Sequence, residues 1–228
     1  MSSTESNQDH DIIVPGIIVD SALFLIRQKI VAQGRDEITL PPSTHEFSEK
    51  KLGITWTGTL ILTNGKFVGL QTIQRVGDAK LSRVGDSREV AIDIDLSLTE
   101  PTFSNDFHLT FMGREKDGSI TGVIERILFN LIFAVDLTTQ KMRMIDFKFK
   151  DISSISTQVD GLGTILSFLT TKIVQIVLNQ KKWDIAHTVE GKLKSILTEF
   201  FAKRSMPGPI VAGAKGMLEA DAEHHPHS

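Results

Sequence analysis

The stretch Glu89-Val90-Ala91-Ile92-Asp93-Ile94-Asp95-Leu96-Ser97-Leu98-Thr99 decides the fold. Apolar side chains stand at Val90, Ile92, Ile94, Leu96 and Leu98, with Asp93, Asp95 and Ser97 between them. Alternation with period two is the pattern of a strand that buries one face and wets the other. Such a face needs a cover, and the apolar material available for it in this chain is helical. Working outward, period-two patterning fills residues 54–155, and helical periodicity occupies 17–33 before it and 162–200 after it. The fold class predicted from this order is α+β, with an antiparallel sheet covered by its flanking helices.

Within the first helix Leu23, Ile26 and Ile30 form one strip, Ile18 and Phe24 adjoin it, and Gly34 is a natural stop. Residues 36–51, with Pro41 and Pro42, read as a long connector. Ile54, Trp56, Leu60 and Leu62 then alternate with Thr55, Thr57, Thr59 and Ile61, and Asn64-Gly65 is a hairpin signal. Arg75-Val76-Gly77-Asp78 recurs as Arg83-Val84-Gly85-Asp86, a pair of copies that reads as a bulge and a turn. Phe107, Leu109 and Phe111 face one way, and Lys116-Asp117-Gly118 reads as the turn that follows. Ile127, Phe129, Leu131, Phe133 and Val135 line one side of a strand whose other side, Leu128, Asn130, Ile132 and Ala134, is also largely apolar. Ile145, Phe147 and Phe149 alternate with charged neighbours. Ile165, Leu166, Leu169, Ile173, Ile176 and Val177 form one late helical stripe, and Trp183, Ala186, Val189, Leu193, Ile196, Leu197 and Phe200 a second, with a break at 179–182. Being apolar on much of its circumference, the helix over 162–178 is expected to be the most buried element.

Composition narrows the function classes. The 228 residues are 40% hydrophobic and 23% charged, which is ordinary for a globular domain. A net charge of −3 argues against general nucleic-acid binding. Thirteen Phe with no Tyr make a core short of polar handles. The absence of Cys excludes a disulfide scaffold, a thiol nucleophile and a thiolate metal site. The longest apolar run, 127–135, falls short of the roughly 18 residues that a membrane-spanning helix needs. Residues 1–11 are polar and lack the apolar core of a signal peptide. The tail, rich in Pro, Gly, Ala and His, reads as flexible. The expected organisation is one domain over 12–204 with flexible tails at 1–11 and 205–228.

No constellation supports catalysis. Asp93 and Asp95 share a wet strand face and read as solvated carboxylates. His108 and His187 lack metal-ligand spacing. Ser153, Ser154 and Ser156 sit in no nucleophile elbow. Gly161 and Gly163 lack the rest of a dinucleotide fingerprint. The chain is therefore expected to be a non-enzyme with no cofactor and no metal.

Literal sequence also carries a resemblance. Lys50-Lys51-Leu52-Gly53-Ile54, Thr57-Gly58-Thr59-Leu60, Val68-Gly69-Leu70, Arg75-Val76-Gly77-Asp78-Ala79 and Val159-Asp160-Gly161-Leu162-Gly163-Thr164-Ile165-Leu166 resemble the group 7 mite allergens and their arthropod relatives. That family is related to the tubular lipid-binding superfamily, which includes the bactericidal permeability-increasing protein half-domain, the juvenile hormone binding proteins and the takeout proteins. The resemblance implies a long, strongly curved antiparallel sheet wrapped around a long C-terminal helix, an N-terminal helix alongside, and an apolar groove between sheet and helix. It also implies secretion, although the polar N-terminus departs from a secretory precursor and a cytoplasmic setting stays open. The lack of Cys favours the group 7 branch over the hormone carriers.

The function expected is non-enzymatic binding or transport of a lipid or other apolar small molecule in that groove. The alternative is an interaction module that docks through an exposed apolar rim on lipid-bearing assemblies or on a protein, with no internal ligand. Neither reading involves nucleic acid or transmembrane insertion, and both leave room for weak membrane or protein contact. The residues expected to touch an apolar ligand are Trp56, Leu60, Ile94, Phe129, Phe133, Phe147, Ile165 and Leu169, each on the inner face of its strand or helix.

Overall fold

Four long strands, each bent near its middle, make the frame of the molecule. The computed structural model describes residues 12–14, 16–51, 53–85, 87–162, 167–206, 208 and 211–216. In chain order the elements are β1 (Ile12–Val14), α1 (Gly16–Ala32), β2 (Glu37–Leu40), β3 (Ser43–Lys51), β4 (Ile54–Val68), β5 (Gln74–Arg83), β6 (Glu89–Thr99) and β7 (Thr102–Phe111). There follow β8 (Arg114–Ile124), β9 (Arg126–Asp136), β10 (Met142–Ile152), β11 (Ile155–Asp160), α2 (Ser167–Ile176), a π-helical segment (Val177–Lys181) and α3 (Lys182–Ala202). One sheet has the order β1-β5-β6-β9-β10, the other β11-β8-β7-β4-β2, and all neighbours are antiparallel. The two orders match position by position, because β4 leads into β5, β6 into β7, β8 into β9 and β10 into β11.

Hydrogen bonds carry the ladder across the bends. Glu100 N donates to Glu125 O at 3.1 Å, Ile124 N to Pro101 O at 2.9 Å, Glu125 N to Ser154 O at 2.9 Å, and Ser153 N to Arg126 O at 2.9 Å. The bend is written in the sequence along this line. Pro101 has no N–H to offer, and Glu100 takes a positive φ of 49°. Gly69 has φ 124°, and a Cβ there would lie 2.9 Å from the Pro101 Cα, so the close approach of the two bends requires glycine.

The inner face is filled by side chains of both halves: Leu60, Leu62 and Phe67 from β4, Ile92, Ile94 and Leu96 from β6, Ile127, Phe129 and Leu131 from β9. Phe103, Phe107 and Phe111 recur every fourth residue on β7, and each stands opposite a glycine: Gly122, Gly118 and Gly58. At Gly122 and Gly118 the Phe ring covers the glycine so closely that a Cβ would overlap it. Aromatic rings laid over strand glycines restore apolar contact where the sheet curves most tightly.

The helices close what the sheet leaves open. α2 meets β11, while Lys172 on α2 reaches the opposite edge and binds Glu49 of β3 at 2.6 Å. α3 lies against β10 and β2, and α1 against β5 and α3. The β2 and β3 strands run end to end along one edge of β4, interrupted at Pro41-Pro42. Into this gap the fully buried Lys181 sends its ammonium, which donates to the Pro41 carbonyl at 2.7 Å. Burial holds the Lys181 pKa below its ordinary value, against the pull of Asp184.

Several local expectations are corrected. Residues 36–51 form β2 and β3, not a connector. Asn64-Gly65 is a bulge inside β4, with Asn64 at φ 50° and the register shifting between Thr63 and Lys66. Residues 116–118 lie inside β8, and the turn is Met112-Gly113, both at positive φ. The two Arg-Val-Gly-Asp copies hold as read: the first is a β5 bulge and the second leads into a turn. The break near 179–182 is the π segment. Leu162 is buried in a bend, the first described helical residue is Ser167, and residues 163–166 lie outside the described residues. α2 buries Leu169, Ile173 and Ile176 and keeps a half-exposed opposite side, so β6 and β9 are the more deeply buried elements. Trp183 is 45% exposed and stands edge-on to Phe149.

Alanine at Gly122 would press on the Phe103 ring and lie 2.9 Å from the Ser156 carbonyl oxygen, and it should destabilise the protein by about 1–3 kcal/mol in chemical denaturation. Glu199 on α3 accepts from Arg35 at 2.6 Å, Lys203 at 2.9 Å and Lys29 at 3.3 Å. These bonds lower its pKa from 4.5 to about 2. The folded value is the depressed one, so the stabilisation is complete above pH 4.5 and is lost as pH falls towards 2. Denaturation curves across that window should fall more steeply for the wild type than for Glu199→Gln.

Candidate apolar binding site

The residues expected to contact a ligand fall in three places. Leu60, Ile94, Phe129, Phe147 and Leu169 are all at most 2% exposed and belong to the continuous core. Phe129 stacks on Phe147 at 5.3 Å and packs T-shaped with Phe149 at 6.1 Å. Trp56, four residues before Leu60 on β4, is half-buried and stacked on Phe111 at 5.5 Å. Ile165 lies outside the described residues. Phe133 differs from the rest. It stacks on Phe201 at 5.1 Å, and both rings line an open recess of about 130 Å³.

The recess is built from four elements and the chain that follows the last of them. Ser21, Ala22 and Leu25 come from one side of α1, Phe133 from β9 and Met142 from β10. Phe200, Phe201, Arg204, Ser205 and Met206 come from the last turn of α3 and the chain just beyond it. That chain is held in place by a bridge between Ser205 and Lys141 and by Met206 N donating to Gln140 O at 2.8 Å. The Arg204 guanidinium lies 5.0 Å from the centre of the Phe200 ring. Seven of the ten lining residues are apolar and none is acidic. Larger hollows of about 480, 450 and 360 Å³ lie elsewhere, lined largely by Thr, Ser, Lys, Arg and Glu.

The mouth of the recess continues onto an exposed apolar strip. Leu25 is 37% exposed, and Ile17, Phe24 and Val31 on the same helix are 74%, 54% and 56% exposed. α1 therefore presents apolar side chains on two faces: Val19, Leu23, Ile26 and Ile30 to the core, and this strip outward. Of its ten lining residues sequence reasoning named one, Phe133, because the recess is assembled by residues remote in the chain. The adjoining apolar strip of α1 was the signal on hand.

The polar groups weighed for chemistry make structural pairs. Asp95 binds Lys150 at 2.8 Å, and the Asn130 side-chain amide donates to Asp93 at 2.6 Å and to Asp95 at 3.1 Å. His108 lies 2.7 Å from Asp117, its cross-strand partner, and this hydrogen bond raises the imidazole pKa.

A bent antiparallel sheet closed by a long C-terminal helix, with an N-terminal helix alongside, defines the α+β class of fold. The chain belongs to the group 7 allergen family, whose sequence profile matches residues 17–200. A crystal structure of lipopolysaccharide binding protein shares the fold, with a TM-score of 0.51 and 13% identity over 82% of this chain. This chain spans only 38% of that protein. Takeout 1 of Epiphyas postvittana aligns with a TM-score of 0.43 and 16% identity, covering 82% of this chain and 92% of its own. No curated protein matches the sequence.

A core residue and a binding residue respond differently to truncation. Phe129→Ala should cost about 3–5 kcal/mol of stability in urea with no ligand present. A loss under about 1 kcal/mol would mean that its ring borders open space.

Proposed function

We propose that this protein is a non-enzymatic binder of lipids or other apolar small molecules, and that it takes them at the recess between α1, the C-terminal end of α3 and the β9–β10 edge. The observation that carries this reading is the recess itself: an open apolar volume of about 130 Å³ floored by Phe133 and Phe201. Apolar pockets with a few polar groups at the rim are the usual form of small-molecule sites. A dry apolar cavity of about 150 Å³ takes a ligand of benzene size. The recess therefore suits one end of an apolar molecule, with the remainder lying along Leu25. Among the residues first expected at the site, Phe133 keeps that role in this proposal. The others are assigned to the core, except Trp56, which is assigned to the aromatic cluster with Phe111, and Ile165, to which no role is given.

The lipopolysaccharide binding protein named above supports the reading at the level of fold, since its name records binding of a lipid-bearing molecule. Family membership supports an extracellular setting. The exposed strip of Ile17, Phe24 and Val31 favours a second reading, in which α1 docks on a lipid surface with no molecule in the recess.

The test uses the neutral fluorescent probe N-phenyl-1-naphthylamine. The wild type should bind it, and Ala22→Trp, which fills the recess, should weaken binding at least about tenfold while the melting temperature is kept. Phe24→Asp should leave binding in the recess nearly intact. Unchanged binding in Ala22→Trp would remove the recess as the site. Vesicle flotation that is lost in Phe24→Asp, with no probe bound by the wild type, would establish the docking reading instead.

A further inference from the structure

Resting on the reading of the recess as a ligand site, we propose that the ligand is an anionic amphiphile, a monoalkyl carboxylate, whose head group is received by Arg204. The polar lining consists of Arg204 and the hydroxyl residues Ser21 and Ser205, so the rim offers one cation, two hydroxyls and no carboxylate. Ser21 already donates its hydroxyl proton to the Ile17 carbonyl at 2.7 Å, which leaves Arg204 as the strongest donor at the rim.

The neighbouring cations are occupied. Lys29, Arg35 and Lys203 all converge on Glu199, within 2.6–3.3 Å. Arg204 forms no ion pair among the described residues, and its guanidinium is held by Phe200. A guanidinium seated on an aromatic ring keeps its edge N–H groups free, and that planar fork matches the two oxygens of a carboxylate. The recess, about 130 Å³, accommodates roughly six carbons by comparison with a benzene-sized cavity. A longer chain would continue over Leu25, which both lines the recess and is exposed. Site chemistry thus orders the ligands: a carboxylate above a neutral alcohol of equal chain length, and the alcohol above an amine.

The experiment compares octanoate, octan-1-ol and octylamine as competitors of N-phenyl-1-naphthylamine at pH 7, in wild type and Arg204→Met. Methionine keeps an apolar stem over Phe200 and removes the charge. Octanoate should displace the probe about tenfold more tightly than octan-1-ol from the wild type, as expected for one charge-assisted hydrogen-bonded pair. In Arg204→Met that preference should vanish while octan-1-ol binds as before. Equal affinities for octanoate and octan-1-ol in the wild type would overturn the anion preference and leave the recess as a neutral apolar site. A carboxylate preference that survives in Arg204→Met would overturn the assignment to Arg204. Failure of all three compounds to displace a bound probe, or of the probe to bind at all, would instead remove the recess as the ligand site.

Discussion

The molecule depends on keeping one hydrogen-bond ladder unbroken while four strands bend together. If each strand ended at its bend, the two sheets would have ends full of unpaired N–H and C=O groups, each costly to bury. Bonds such as Ile124 N to Pro101 O and Glu125 N to Ser154 O carry pairing through the bend line. That continuity obliges the bends to stack, and stacking brings Gly69 and Pro101 into contact. The resulting concave surface is apolar along its length and still open between its edges. α2 and α3 occupy that opening, and Lys172 and Lys181 fasten them to the β3 and β2 side.

The order helix, sheet, helices was legible because each pattern persists over enough residues to exclude the other period. The alternation at 89–99 is β6 itself, and the strip Leu23, Ile26 and Ile30 is the buried face of α1. Errors arose where a local signal had a tertiary use. Asn64-Gly65 is strong hairpin chemistry, yet here the positive φ of Asn64 absorbs an extra residue in a strand whose β7 partner continues past it. Lys116-Asp117-Gly118 has turn composition, but Gly118 is glycine because the Phe107 ring lies over it. Residues 36–51 show little apolar alternation because β3 is an edge strand with alternate residues exposed.

The candidate site was less legible than the fold, for a physical reason. Inner-face assignment identifies residues that point inward, and inside this sheet pointing inward means being packed. Leu60, Ile94, Phe129 and Phe147 were identified as inward-facing, and they are core. A recess instead forms where elements fail to meet, at the junction of α1, α3 and the β9–β10 edge. Its residues come from positions 21 to 206, and no periodicity links them. The resemblance to group 7 allergens supplied the fold, and the place where that fold leaves room had to come from geometry.

The π segment at Val177–Lys181 carries a consequence for the chain as a string of counted residues. A π turn holds one residue more than an α turn, and each residue of an α-helix turns its successors by about 100°. Whatever follows the segment is therefore set in phase by it. Were the surplus residue lost, Val189, Leu193, Ile196 and Phe200 would rotate off the face that meets the sheet. Arg204 and Met206 would be carried round with them. Lys181 marks that phase, because its ammonium reaches a carbonyl left over where two prolines interrupt an edge strand. The angular position of the last helix is thus fixed from about 140 residues earlier in the chain, and relatives that differ in length at either point should have to differ at both.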